Sequence, residues 1–271
     1  MLKDMFMEAR RAGLELHPKK TKILSNQVRR GGLNARKQVT IGDALVEVLP
    51  VQGQTDYLGR VLGFSGYHDK ELDHRINRAW AKFHMFKGEL CCPYYPLKAR
   101  MRLFNAVITP YFLYGCVAWT MTKEREQKLI VTQRRMLRLI CRVGRKPDET
   151  WVEWVQRATH HAERVADECE VELWVSAQRR RKWRWAGHVA RLTDNRWTHQ
   201  VLSWHLECGH RSVGRPTRRW TDVLDKFCGD LVGTTSPGAD LPSTGTRRVE
   251  RARRCLLQAH VSRSGGKALV P

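Results

Sequence analysis

The sequence predicts a mainly α protein that begins with a small antiparallel β-hairpin and continues as a helical bundle followed by a basic helical region. Three observations carry that expectation. Between Gln38 and Leu62 apolar residues recur at a period of two, the spacing of a half-buried strand. After Gly66 they recur every third or fourth position almost to the carboxyl end. Of 271 residues 42 % are hydrophobic, so the chain can bury a sizeable core rather than remain a basic tail.

Each element follows from local pattern. Leu2 to Leu14 has helical spacing, and Gly13 breaks it before a short extended segment and the basic cluster Lys19, Lys20 and Lys22. Val39 and Ile41, then Leu45, Val46 and Val48, flank a turn at Gly42-Asp43, and Tyr57-Leu58-Gly59 leads into Val61 and Leu62. Two or three strands are expected there. Asp69, Glu71 and Asp73 acidify the start of a helix whose stripe is Leu72, Ile76, Ala79, Trp80, Phe83 and Leu90. Arg75, Arg78 and Lys82 run beside that stripe. A second helix carries Leu97, Met101, Phe104 and Ile108 up to Pro110, and a third carries Leu129, Ile130, Gln133, Met136, Leu137 and Ile140, flanked by Arg134, Arg138, Arg142 and Arg145. Trp151 to Trp174 is expected to continue helically into the block Arg179 to Leu192. Pro216 then suits a first helical position ahead of Trp220, Val223, Leu224 and Phe227, with Gly229 as the stop. Gly229 to Gly245 has linker composition, and Arg247 to His260 could form one more helix.

Charge narrows the function. There are 49 Lys and Arg against 27 Asp and Glu, a formal net charge of +22, and nucleic acid is the default partner for such an excess. No signal peptide is expected, and the longest apolar run, Ala106 to Trp119, is too short to span a bilayer and is divided by Pro110. The 8 cysteines are scattered without a CxxC pair, as in reduced intracellular proteins.

The charge is densest in RRRKWRWAGHVARL, Arg179 to Leu192, and in GRPTRRWTDVL, Gly214 to Leu224. On a helix of about 3.6 residues per turn, Arg180, Arg181, His188 and Arg191 all fall within about 60° of Arg184. They make one basic face, without the opposite charges at i±4 that a solvated face usually carries. Trp183 and Trp185 fall on the remaining arc and are expected to anchor the helix in the core; stacking on bases is the alternative use for them. Arg215, Arg218 and Arg219 crowd a helix amino end, where the macrodipole disfavours cations unless an anion binds.

Catalytic signatures are scarce. Asp222 and Asp225 share a helical face within a basic neighbourhood and are expected to form salt bridges. His199, His205, Cys208 and His210 offer zinc-ligand chemistry, but their spacing matches no finger or knuckle. There is no P-loop, no GxGxxG after a strand and no nucleophile elbow.

The order of AGLELHPKKTKIL, TDYLGRVLG, ELDHRINRAWAKFHMF, KARMRLFNAVITPYFLYGCVAW, QRRMLRLI, RRRKWRWAGHVAR and GRPTRRWTDVL resembles the carboxyl-terminal portion of non-LTR (LINE-type) retrotransposon reverse transcriptases. The resemblance spans roughly Ala12 to Asp225. It implies a palm remnant with a primer-grip hairpin over 1–66, a helical thumb-like region over 67–145, a basic Arg/Trp-rich helical region over 146–229, and a flexible linker and tail over 230–271. Lys20 matches the palm lysine near the incoming nucleotide, although His17 stands where the family has asparagine. Tyr57 and Gly59 belong to the primer grip. The cations of the thumb-like and basic regions, Arg75, Arg78, Lys82, Arg134, Arg138, Arg180, Arg181, Arg184, Arg191, Arg215, Arg218 and Arg219, become the expected contacts to RNA, DNA or a hybrid.

The family's paired catalytic aspartates have no counterpart ahead of Ala12, where only Asp4 and Glu8 occur. The expectation is a truncated or degenerate copy that holds nucleic acid without polymerising, with no catalytic residue, no metal and no cofactor of its own; magnesium belongs to the intact parent enzyme. A nuclear, intracellular location, no membrane and no small-molecule substrate go with it. The competing expectation is a stand-alone basic helical RNA- or DNA-binding protein without enzymatic activity.

Overall fold

The computed structural model describes residues 2–15, 17, 19–25, 37–42, 44–64, 66–192, 197–198 and 220–224. The chain divides into two units, Met1–Lys82 and Phe83–Pro271. The fold is mainly α with a small β part near the amino end, as the periodicity predicts.

In the first unit, helix α1 (Leu2–Arg11) ends where Gly13 takes a φ of +74°, and Leu14 N–H reaches back to the Ala9 carbonyl at 2.9 Å. Strands β2 (Gln38–Ile41) and β3 (Ala44–Val48) pair antiparallel, and the two-residue β1 (Lys22–Ile23) adds to β3 in parallel, giving the order β1-β3-β2. Alternation sorts the faces: Ile41, Val46 and Val48 are buried, while Leu45 is 54 % exposed. Gly42 turns the hairpin at φ +59°, and a Cβ there would lie 2.1 Å from the Phe6 ring of α1. Glycine is therefore required both for the turn and for the close approach of α1.

Strands β4 (Gln54–Tyr57) and β5 (Arg60–Gly63) form a second antiparallel hairpin with Tyr57 opposite Arg60. Its two-residue turn has φ of +49° at Leu58 and +71° at Gly59, the sign that a type I′ turn demands at both central positions. Helix α2 (Tyr67–Met85) supplies the clamp for this hairpin through Glu71 and Arg75. These contacts keep residues 67–82 in the same compact unit as the hairpins.

The second unit is helical. After α3 (Lys87–Leu90), α4 (Leu97–Leu103) runs into a π-helical turn at Phe104–Ile108 and then α5 (Thr109–Phe112). The helix was expected to stop at Pro110. Instead the wide turn precedes it, and Pro110 sits in the first turn of α5, where its missing N–H costs little. A 3₁₀ turn at Cys116–Ala118 follows Gly115, whose φ is +68°. Helix α6 (Lys123–Cys141) starts on a Thr122 cap, and α7 (Trp151–Glu168) on a full capping box between Thr150 and Glu153.

The helix expected to run unbroken from Trp151 through the arginine block is two helices. α7 ends with Glu170 at φ +54° and Val171 N–H bonded to the Ala166 carbonyl at 2.8 Å, and α8 (Trp174–Arg191) starts afresh. A left-handed residue that is not glycine leaves no mark in a sequence, so the break was invisible. Trp174 is fully buried between Phe112, at 4.0 Å between ring centroids, and Phe104, at 5.9 Å. Its indole N–H donates to Thr109 Oγ1 at 3.0 Å, and its backbone N–H donates to Gln133 Oε1 at 3.0 Å. Gln133 in turn donates to the Glu172 carbonyl at 2.8 Å, and Gln178 of α8 donates to the Cys116 carbonyl at 3.1 Å. Satisfied buried polar groups of this kind fix orientation, so α8 is held against α5, α6 and the 3₁₀ turn.

The candidate helix after Pro216 is described only at its Trp220–Leu224 turn, where Leu224 is buried. The linker, the helix over 247–260, and Arg215, Arg218, Arg219, His199, His205, Cys208 and His210 lie outside the described residues.

Candidate nucleic-acid interface

Two depressions of the second unit collect cations. One, of about 640 Å³, is lined by Arg181, Arg184, His188 and Arg191 of α8 on one side and by Pro110, Leu113, Tyr114, Gly115 and Val117 on the other, with Trp185 beside the arginines. Among the described residues no acidic one lines it. Arg181 donates to the Leu113 carbonyl at 3.4 Å and lies close enough to Cys116 to oppose the burial that pushes that thiol up to about 11. Arg184, His188 and Arg191 make no ion pair among the described residues and project from an exposed face. Arg184 and Arg191 meet no carboxylate among the described residues, the condition under which a polyanion gains most.

The helical projection gathers these cations correctly but divides the tryptophans too sharply. Trp185 lies about 100° from Arg184, at the edge of the basic arc, and the structure places it in the groove. Behind it stands Trp220, at 5.2 Å and edge-on at 88°. Trp220 donates its indole N–H to the Val117 carbonyl at 2.6 Å, and the ammonium of Lys182, itself 3 % exposed, lies 4.5 Å from the Trp220 ring centroid. Trp220 therefore ties the 220–224 turn to α8 and backs the groove wall.

The second depression, about 730 Å³, is lined by Lys87, Arg138, Arg142 and Trp154 together with Cys91 and Cys92. Its arginines are engaged: Arg138 donates to Thr159 Oγ1 at 3.0 Å and Arg142 to the Cys91 carbonyl at 3.1 Å. Burial, then the neighbouring Arg135 and Arg134, lowers the pKa of Arg138 from its usual value.

The remaining expected contacts scatter. Arg180 pairs with Glu172 at 2.6 Å, and Arg134 pairs with Glu163 at 2.5 Å, so opposite charge missing along the helices comes from neighbouring elements. Arg179 likewise meets Glu126 at 2.8 Å. In the first unit, Arg75 is buried, not a surface cation: it occupies the inward face of α2 with Leu72 and Ala79, bonded to Glu71 and to the Gly59 carbonyl. Arg78 is exposed, Lys82 half-buried, Lys20 exposed in a turn closed on His17, and Tyr57 61 % exposed beside the Leu58-Gly59 turn. Sequence reading missed Tyr114 as part of the groove lining, Trp220 and Lys182 as its backing, and Glu71 as the hairpin clamp.

The described residues contain no cluster of three or more His, Cys, Asp or Glu that could hold a metal ion; Asp4 and Glu8 are exposed on α1, with Glu8 bonded to Arg11. Among them no helix is long and apolar enough to cross a membrane.

Over 231 residues the chain is 29 % identical to an uncharacterized transposon-derived protein of Caenorhabditis elegans, a match that covers 83 % of this chain and 77 % of the nematode protein. The chain is thus similar to a transposon-derived protein. No family model and no solved structure matches the chain.

Proposed function

We propose that this protein is a nucleic-acid-binding portion of a non-LTR retrotransposon reverse transcriptase, and that the groove along α8 is its grip on the strand. The observation that carries the reading is the lining of Arg181, Arg184, His188 and Arg191, which among the described residues includes no acid and makes no ion pair. Such a surface has little structural reason to be so charged, whereas phosphates would neutralise it with release of counterions. The motif order set out above supplies the reverse-transcriptase assignment, and the transposon-derived relative is compatible with it. The hairpin at Tyr57 to Arg60 is read as the primer grip and the helices that follow as the thumb.

Binding of the full chain to labelled RNA and DNA across a salt series tests this. If about six phosphates are contacted, log affinity falls against log salt with a slope of about −5. A flat response would remove the electrostatic basis of the proposal. A template-primer extension assay with magnesium tests the second half: the chain binds without extending, and incorporation of nucleotides would show that it carries catalytic groups of its own.

A further inference from the structure

The same groove offers more than charge, and what it offers selects among nucleic acids. Resting on the binding function proposed above, we infer that the groove receives single-stranded nucleic acid, with an unpaired base laid between Tyr114 and Trp185 while Arg184 and Arg191 hold the flanking phosphates. Tyr114 is 51 % exposed although it lies in the most apolar run of the chain, and it faces the same depression as Trp185. Gly115, at φ +68°, turns the backbone directly after it and joins the lining. Trp185 is half-buried, backed edge-on by Trp220, which is itself fixed by its bond to Val117 and by Lys182. An aromatic ring held from behind and bordered by arginines is a preorganised stacking surface.

Duplexes cannot use such a surface, because their base faces are already covered by their neighbours. They present phosphates, sugars and base edges but no open base face, and a flat basic face would serve their phosphates as well as a groove. An unpaired base has both faces available, and stacking on an aromatic side chain tolerates any base. The bordering cations take the backbone to either side, so the groove recognises a strand that is charged outside and flat within.

The test compares full-length protein binding to labelled oligo(U) and oligo(dT) with binding to a mixed-sequence duplex of equal length at one salt concentration. The wild type is expected to prefer the single strands. Tyr114→Ala and Trp185→Ala should each weaken single-strand binding by about tenfold, as loss of one stacked base predicts, and weaken duplex binding by less. Trp185→Phe should retain most of the affinity. A thermal melt of each variant separates lost folding from lost stacking, and Trp185→Phe, which keeps a ring, reads stacking if Trp185→Ala fails to fold. Salt-dependent binding that is indifferent to Tyr114→Ala, or that favours the duplex, overturns the stacking inference and leaves the binding function standing. Absence of salt-dependent binding to any of the three probes overturns both.

Discussion

Glu71, fully buried, accepts a hydrogen bond from the backbone N–H of Val61 at 2.6 Å, so the second hairpin is fastened to α2 by a carboxylate rather than by apolar packing alone. The same carboxylate lies 3.3 Å from Arg60 Nε and 3.2 Å from Arg75 Nε. Removing one partner of a buried ion pair strands the other charge, at a cost of about 3–5 kcal/mol. Glu71→Ala should therefore destabilise the chain by about that amount in urea titration, while Glu71→Gln, which keeps an acceptor for Val61, should cost less. Equal losses for the two variants would show that the hydrogen bond to Val61 contributes little and that the charge pairing carries the effect.

Trp174 poses a packing question with a polar handle. Replacing it with Ala empties a site shared with Phe104 and Phe112 and should cost about 3–5 kcal/mol. Trp174→Phe fills most of the space but leaves Thr109 Oγ1 without its donor, for which about 1–3 kcal/mol is expected. Chemical denaturation of the two variants separates packing from hydrogen bonding, and a Phe variant as stable as the wild type would show the Thr109 bond to be dispensable.

Legibility in the sequence followed periodicity. Alternation placed the turn at Gly42 and buried Ile41, Val46 and Val48, and helical spacing found the cores of α2, α4 and α6. What escaped were features set by tertiary partners. Arg75 looked like a surface cation because Glu71, which draws it inward, looked like a first-turn acid. The ends of α7 and α8 were hidden because Glu170 takes a left-handed conformation without glycine. In the groove, Arg181, Arg184 and Arg191 were readable from a helical projection, but Tyr114 arrives from a segment about 70 residues away in sequence, and no local pattern reports such a meeting.

Acid should loosen the start of α7. The Arg157 guanidinium, by its hydrogen bonds, holds the Glu149 carboxyl down at about 2, and the Thr150 backbone and hydroxyl lower that of Glu153. A carboxylate whose pKa is depressed by folding stabilises above its unfolded value, about 4.3, and that contribution is lost as pH falls toward the folded value. Stability should therefore decline between about pH 4.5 and pH 2, and Arg157→Met should be less stable at neutral pH with a shallower decline in this window. Thermal melts across that range provide the check; identical acid profiles for variant and wild type would detach Glu149 from the effect.

Arginines on one helix face should not contribute equally to nucleic-acid binding under the proposed function. Arg180 is held by Glu172 at 2.6 Å, and this pair must be broken or shared before the guanidinium meets a phosphate. Arg184 and Arg191 carry no such partner among the described residues and line the groove. Each of the latter, replaced by Ala, should weaken binding uniformly across sequences and reduce the magnitude of the salt slope by about one, whereas Arg180→Ala should change the slope little. Glu172→Gln sharpens the comparison: freeing Arg180 should strengthen binding and steepen the slope. If Arg180→Ala were instead the most damaging of the three, the strand would run along the Glu172 side of α8 and the groove would not be its path.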